Sequence, residues 1–165
     1  TRKESSAASD VYKRQEWAWT AKVDKQGLAN QFPWNNNLYP PMEPVDNYAD
    51  VSAKYLLPFT IAQYNDGYAV AAPVGSFEPN SKGLYNMAGN VSEWTNDYYD
   101  IQISRGAAID PTGPQAGNRH VIRGASWALG SRSELRSSFR EAGFEARLDV
   151  GFRIARYVDN SGAVP

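Results

Sequence analysis

The 165-residue chain contains no cysteine and one histidine. The missing thiols remove disulfides, thiolate metal sites and thiol nucleophiles together, and they say nothing firm about compartment. No apolar run approaches the roughly 18 residues needed to span a bilayer. Neither sign of charge dominates, because 17 Lys and Arg stand against 18 Asp and Glu, a formal net charge of −1. That balance leaves no overall electrostatic footprint for nucleic acid or a membrane surface. The chain shows no internal repeat and no second domain.

What is abundant points to loops held by aromatic side chains. Five Trp, ten Tyr and six Phe accompany thirteen Gly and ten Pro. The length suffices for one domain with a sizeable core. The opening residues look foreign to it. Ser6 to Gln15 (SAASDVYKRQ) resembles translated sequencing-adapter read-through, and it lacks the apolar region of a signal peptide. The competing reading is a natural polar N-terminal arm. Residues 1–15 are expected to pack against nothing, 16–158 to form the domain and 159–165 a flexible tail.

Along the chain, Glu16 to Lys22 (EWAWTAK) reads as the end of an amphipathic helix that stops before Gly27. Asn35-Asn36-Asn37 is a polar turn, and Leu38 to Asp50 is proline-rich and irregular. Val51 to Ala62 has room for one short helix interrupted at Pro58. Asn65-Asp66-Gly67 is a turn, and Ala72 to Phe77 is a short extended piece. Asp100 to Arg119 forms a long loop. His120 to Trp127 and Gly151 to Tyr157 read as strands. Between them, Ser133 to Arg140 sets Leu135 and Phe139 at helical i,i+4 spacing.

Gly83 to Trp94 (GLYNMAGNVSEW) mixes large apolar residues with too many breakers for a helix and too little alternation for a strand. Its Asn86 and Glu93 side chains lie seven residues apart, with Gly89 between them to let the backbone coil. Calcium takes six to eight oxygens from carboxylates, amides and carbonyls in such wrapping loops. Asn47 in VDNYAD and Asp66 in YNDGY form a second group of hard oxygen donors. On spacing alone, both groups read more readily as hydrogen-bonded turns and caps without an ion.

EWAWTAK, FPWN, DNYAD, PVGSFEPNSKGLYNMAGNVSEWTNDYY, VIRGASW, ELRSSFR and VGFRIAR follow the order found in the sulfatase-modifying-factor family. The chain thus resembles the formylglycine-generating enzymes, from about Glu16 to Tyr157. The resemblance implies an α+β, C-type-lectin-like fold with sparse regular secondary structure, short antiparallel strands and long loops. It also implies a bacterial protein fragment lacking roughly the first half of the domain, with exposed apolar surface and a tendency to aggregate alone.

Two structural calcium ions are implied by the same resemblance. One site would use the Asn47 and Asp66 side chains with the carbonyls of Tyr48 and Tyr68. The other would use the Asn86 and Glu93 side chains with the carbonyls of Gly89 and Val91, while Tyr85, Met87 and Trp94 anchor the loop. No catalytic residue carries over. The positions of the copper-binding cysteines fall on Leu129 and Glu134, and neither side chain makes a bis-thiolate copper(I) site. Ser126 is retained, with Ala125 in place of the usual second glycine. The related non-haem iron branch needs three histidines, and His120 alone reads as an exposed loop or strand residue.

Arg123, Arg132, Arg136, Arg140, Arg147, Arg153 and Arg156 are interleaved with Glu134, Glu141, Glu145 and Asp149, which points to intrachain ion pairs. A groove formed by Ser126, Trp127, Arg132, Arg136 and Phe144 is the expected ligand site, taking a peptide, glycan or protein. The resulting expectation is a non-catalytic, calcium-stabilised recognition module with no copper. Two alternatives stand beside it. One is a family enzyme whose catalytic residues lie in a missing N-terminal part. The other is a structural module of a cell-envelope assembly, for which the envelope or periplasm is the favoured location.

Overall fold

The computed structural model describes residues 10–11, 13–22, 30–34, 40–101 and 113–155. The expected turn at Asn35-Asn36-Asn37, the Gly27 stop, Arg156 and the tail lie outside the described residues, as does the middle of the Asp100–Arg119 loop. The elements are β1 (Asp10–Val11), α1 (Arg14–Lys22), a 3-10 turn (Val51–Ala53), β2 (Ser92–Tyr98), β3 (His120–Arg123), β4 (Arg140–Gly143), β5 (Val150–Phe152) and β6 (Ile154–Ala155). Four strands form one sheet in the order β4-β3-β2-β5, and β1 pairs with β6 in a second, two-stranded sheet. The fold is α+β with short strands and long loops. The larger sheet is mixed, because β5 runs parallel to β2 while the other pairs are antiparallel.

Helix α1 starts with half a capping box: the Lys13 amide donates to Glu16 Oε2 at 3.0 Å, satisfying one otherwise unpaired N–H of the first turn. The Arg14 amide donates to Asp97 Oδ2 at 2.6 Å, tying the helix start to β2. This tie and the antiparallel pairing of Asp10–Val11 with Ile154–Ala155 correct the expectation of no packing for Asp10, Val11 and Arg14, while residues 1–9 lie outside the described residues. The helix buries Trp17. The indole lies against the Arg123 guanidinium, 4.7 Å from its ring centroid, and its Nε1 donates to Glu93 Oε2 at 2.9 Å.

Strand β2 is the element that sequence pattern hides. Its inward positions include Thr95 and Asp97, both buried, and the Thr95 hydroxyl donates to the Val121 carbonyl at 3.0 Å. A polar inner face satisfied by hydrogen bonds breaks the apolar alternation that normally marks a strand. Elsewhere, regular structure is shorter than expected. Residues 133–139 form turns instead of a helix, because the buried Arg123 guanidinium takes the carbonyls of Ser137, Ser138 and Phe139. Burial lowers the Arg123 pKa to about 10, with Arg14 and Arg140 adding to the effect. The 51–62 stretch keeps only its 3-10 turn, capped by Asp50 accepting from the Ser52 amide at 2.7 Å. Ala72–Phe77 forms no strand, and the 120–127 strand stops where Gly124 takes φ +76°. The last expected strand splits at Arg153 into β5 and β6.

An aromatic cluster sits beside the sheet. Phe32, Tyr48, Tyr64, Ala125 and Leu135 are buried together, with Trp34, Val45, Ile61 and Leu129 packed against them. Phe32 stacks on Trp34 at 5.1 Å, and Tyr48 tilts against Tyr64 at 5.6 Å, separations at which aromatic pairs attract beyond their buried area. His120 packs on Tyr98 at 4.6 Å in β3. Gly143 closes the opposite side. A Cβ there would lie 2.5 Å from the Trp94 ring and would also strike Ile122 Cδ1. Gly143→Ala is therefore expected to cost about 1–3 kcal/mol of stability, read as a lower melting temperature. An unchanged melt would show that this contact yields freely.

Candidate functional site

The 83–94 loop is shaped by close approach to the segment around Asp46. Asn86 and Asn90 adopt positive φ, 52° and 70°, a region that asparagine tolerates better than other side chains. Gly89 is needed for a different reason. A Cβ on it would lie 2.7 Å from the Asn47 carbonyl and 2.8 Å from Asp46 Cγ. The buried Asp46 carboxylate, which sequence reasoning missed, accepts from Asn86 Nδ2 at 2.8 Å and from the Asn47 amide at 2.9 Å. Burial raises its pKa to about 6 despite these hydrogen bonds. Met87 is buried as an anchor, but Tyr85 is exposed and does not anchor the loop.

Two amide side chains are oriented by these contacts. Asn47 Nδ2 donates to the Val70 carbonyl at 2.8 Å and to Asn90 Oδ1 at 3.1 Å. Asn90 is itself fixed, accepting from the Ala72 amide and donating to the Ala72 carbonyl. The Asn86 amide nitrogen is spent on Asp46. Asn47 Oδ1 and Asn86 Oδ1 are consequently buried without a hydrogen-bond partner. A bare buried acceptor costs roughly 1–3 kcal/mol, so such atoms call for a ligand, water or ion.

Asp66 lies beside Asn47 in the same arrangement. Its carboxylate accepts from the amides of Tyr48 and Tyr68, each at 2.9 Å, and its own amide donates to Asp50 Oδ2. Its pKa is raised to about 6, by burial first and by the charges of Asp50 and Asp46 after it. Among the described residues, Asp46, Asp50 and Asp66 form no ion pair. Glu93 differs. Its carboxylate accepts from Trp17 Nε1 and from Arg153 Nε and Nη2, the shortest contact being 2.7 Å. Those donors use most of the acceptor sites of a carboxylate. The cation fit at the second set of residues therefore rests on Asn86.

Of the positions expected around the groove, Ser126 does not face solvent. Ser126 is fully buried, and its hydroxyl donates to Asp149 Oδ2 at 2.9 Å, so it is not a groove-facing group. Arg147 binds the same carboxylate from Nε and Nη2 and reaches Glu141 Oε1 at 2.6 Å. Trp127 is half-buried, Arg132 and Arg136 are exposed, and Phe144 is exposed beneath the Arg119 guanidinium. Leu129 packs against the aromatic cluster, while Glu134 Oε2 accepts from the Ser131 amide at 2.9 Å. A cavity of about 460 Å³ lies elsewhere, lined by residues including Trp34, Glu43, Asp46, Glu78 and Asn86.

Burial pushes the Asp149 carboxyl up, but the hydrogen bonds from Arg147 and Ser126 outweigh it and hold the pKa below the usual carboxylate value. A folded-state pKa below the unfolded one contributes stability that is present above the unfolded pKa and lost as pH falls through the folded pKa. Asp149→Asn is expected to lower the melting temperature near neutral pH, with the gap to the native chain narrowing on acidification. A gap that stays constant down to strongly acidic pH would contradict this role.

Known proteins place this arrangement in a family. Formylglycine-generating enzyme of Mus musculus is 37% identical over 114 residues, covering 68% of this chain and 28% of the relative. Inactive C-alpha-formylglycine-generating enzyme 2 of Mus musculus is 29% identical over 148 residues, covering 86% of this chain and 41% of the relative. Among solved structures, Treponema denticola variable protein 1 matches with a TM-score of 0.68 at 28% identity, over 88% of this chain and 46% of that one. The chain thus spans less than half the length of each of these proteins. The family model for the Sulfatase-modifying factor enzyme 1-like domain matches residues 6–158, and the chain belongs to that family.

Proposed function

We propose that this chain is a calcium-stabilised part of a sulfatase-modifying-factor domain that recognises a ligand and does not oxidise a peptide cysteine. The observation that carries the calcium reading is the pair of buried amide oxygens, Asn47 Oδ1 and Asn86 Oδ1, left without partners. Hard oxygens of this kind suit calcium, which accepts amide, carboxylate and carbonyl donors at about 2.3–2.6 Å. Asn47 and Asp66 would hold one ion with the carbonyls of Tyr48 and Tyr68. Asn86 would hold the other with the carbonyls of Gly89 and Val91, with Glu93 fixed beside them by Arg153. Bound calcium supplies positive charge to a polar interior where Asp46, Asp50 and Asp66 are buried.

The non-catalytic reading is supported at the two positions that align with the family's copper ligands. A leucine packed on the aromatic cluster and a glutamate capping a turn supply no thiolate, and soft copper(I) selects thiolates. Recognition of a peptide, glycan or protein then falls to the exposed Arg132, Arg136 and Phe144 together with the half-buried Trp127. Ser126, buried on Asp149, takes no part in that surface.

Calcium should raise the melting temperature of metal-free protein and chelator should abolish the gain. Ligand at about 100 times its dissociation constant adds roughly 2.7 kcal/mol, well within the range of a melt. Identical curves with and without chelator would refute the calcium reading. A cysteine-containing sulfatase peptide incubated with the chain and copper should show no aldehyde product above a control without protein. Formation of that product would refute the non-catalytic reading.

A further inference from the structure

We infer that Asp46 is a positioning residue that aims the Asn86 amide at its cation, reaching across from the segment that carries the other site. This inference rests on the calcium reading above. Asp46 lies next to Asn47 in sequence, and its carboxylate reaches across to the facing loop. Its Oδ1 takes Asn86 Nδ2 at 2.8 Å and the Asn47 amide at 2.9 Å, and Gly89 has no side chain because that approach leaves no room for one. Every partner of this carboxylate is a donor, and an ionised carboxylate only accepts. The Asn86 nitrogen is thereby committed to Asp46, and its oxygen is the atom left bare.

Both contacts fall on one oxygen, Asp46 Oδ1. Asp46→Asn keeps them with its amide oxygen in the same place, because an NH2 there would face two N–H donors. Asp46→Ala removes the acceptor and frees the Asn86 amide to turn its NH2 towards the ion. Groups that orient metal ligands typically govern affinity by about 10–100-fold. Asp46→Ala should therefore weaken the Asn86 site by about that factor, and Asp46→Asn should stay close to native.

The test is calorimetric titration of metal-free chain with calcium alone, for the native protein, Asn86→Ala, Asp46→Ala and Asp46→Asn. Two ions are expected for the native chain. Asn86→Ala and Asp46→Ala should each lose or weaken the same one, and Asp46→Asn should keep it. Native affinity for both ions in Asp46→Ala, while Asn86→Ala loses one, would overturn the positioning role and leave the calcium reading intact. Weak binding in Asp46→Asn as well as in Asp46→Ala would also overturn it, since loss of the buried charge explains that result. A native chain that binds no calcium would overturn the calcium reading and this inference with it.

Discussion

Two irregular segments, one around Asp46–Asp50 and the other around Asn86–Asn90, are locked together by polar contacts that leave almost no room for side chains. The Asn90 amide donates to the Asn47 carbonyl at 2.8 Å, Asn47 reaches back to Asn90, and Asp46 takes the Asn86 amide of the second loop. Apart from a single bridge between Asp50 and Ile61, neither segment has helix or strand bonds to satisfy its backbone, and buried backbone groups must be paired somewhere. The Asn and Asp side chains supply that pairing. Removing one would leave several buried groups unsatisfied at once.

The rest of the domain is attached to this lock by short ties. From Asn90, the carbonyl accepts from the Trp127 amide at 2.8 Å, and the Ala88 carbonyl accepts from the Ala125 amide. Two residues later the chain enters β2, and Glu93 joins three distant segments through Trp17 in the helix and Arg153 between β5 and β6. Partly buried ion pairs of this sort are strongly sensitive to losing one partner, because the remaining charge is left stranded. The short strands are thus organised by polar anchors as much as by the aromatic cluster.

Family membership, the α1 segment and the Asn65–Gly67 turn were legible in the sequence because each depends on local chemistry. Motifs in a fixed order identified the family, and Gly67 takes the φ of +87° that such a turn uses. Strand β2 was hidden, since Thr95 and Asp97 replace apolar residues on its inner face. Leu135 and Phe139 suggested a helix, but Arg123 from another strand claims the carbonyls there, and local spacing carries no trace of that. The same limit applied at the site. Asn47, Asp66 and Asn86 could be named from motifs, whereas Asp46 becomes visible only when two segments 40 residues apart meet. Ser126 was read as groove-facing, whereas its hydroxyl is buried on Asp149, a partner likewise remote in sequence.

The central claim is that an interior rich in carboxylates and bare amide oxygens is completed by calcium. A crystal structure of the chain grown with calcium tests it most directly. The account predicts anomalous density peaks at about 2.3–2.6 Å from Asn47 Oδ1 and from Asn86 Oδ1. Water or a side-chain donor at hydrogen-bond distance from both oxygens, with no calcium peak beside either, would contradict it.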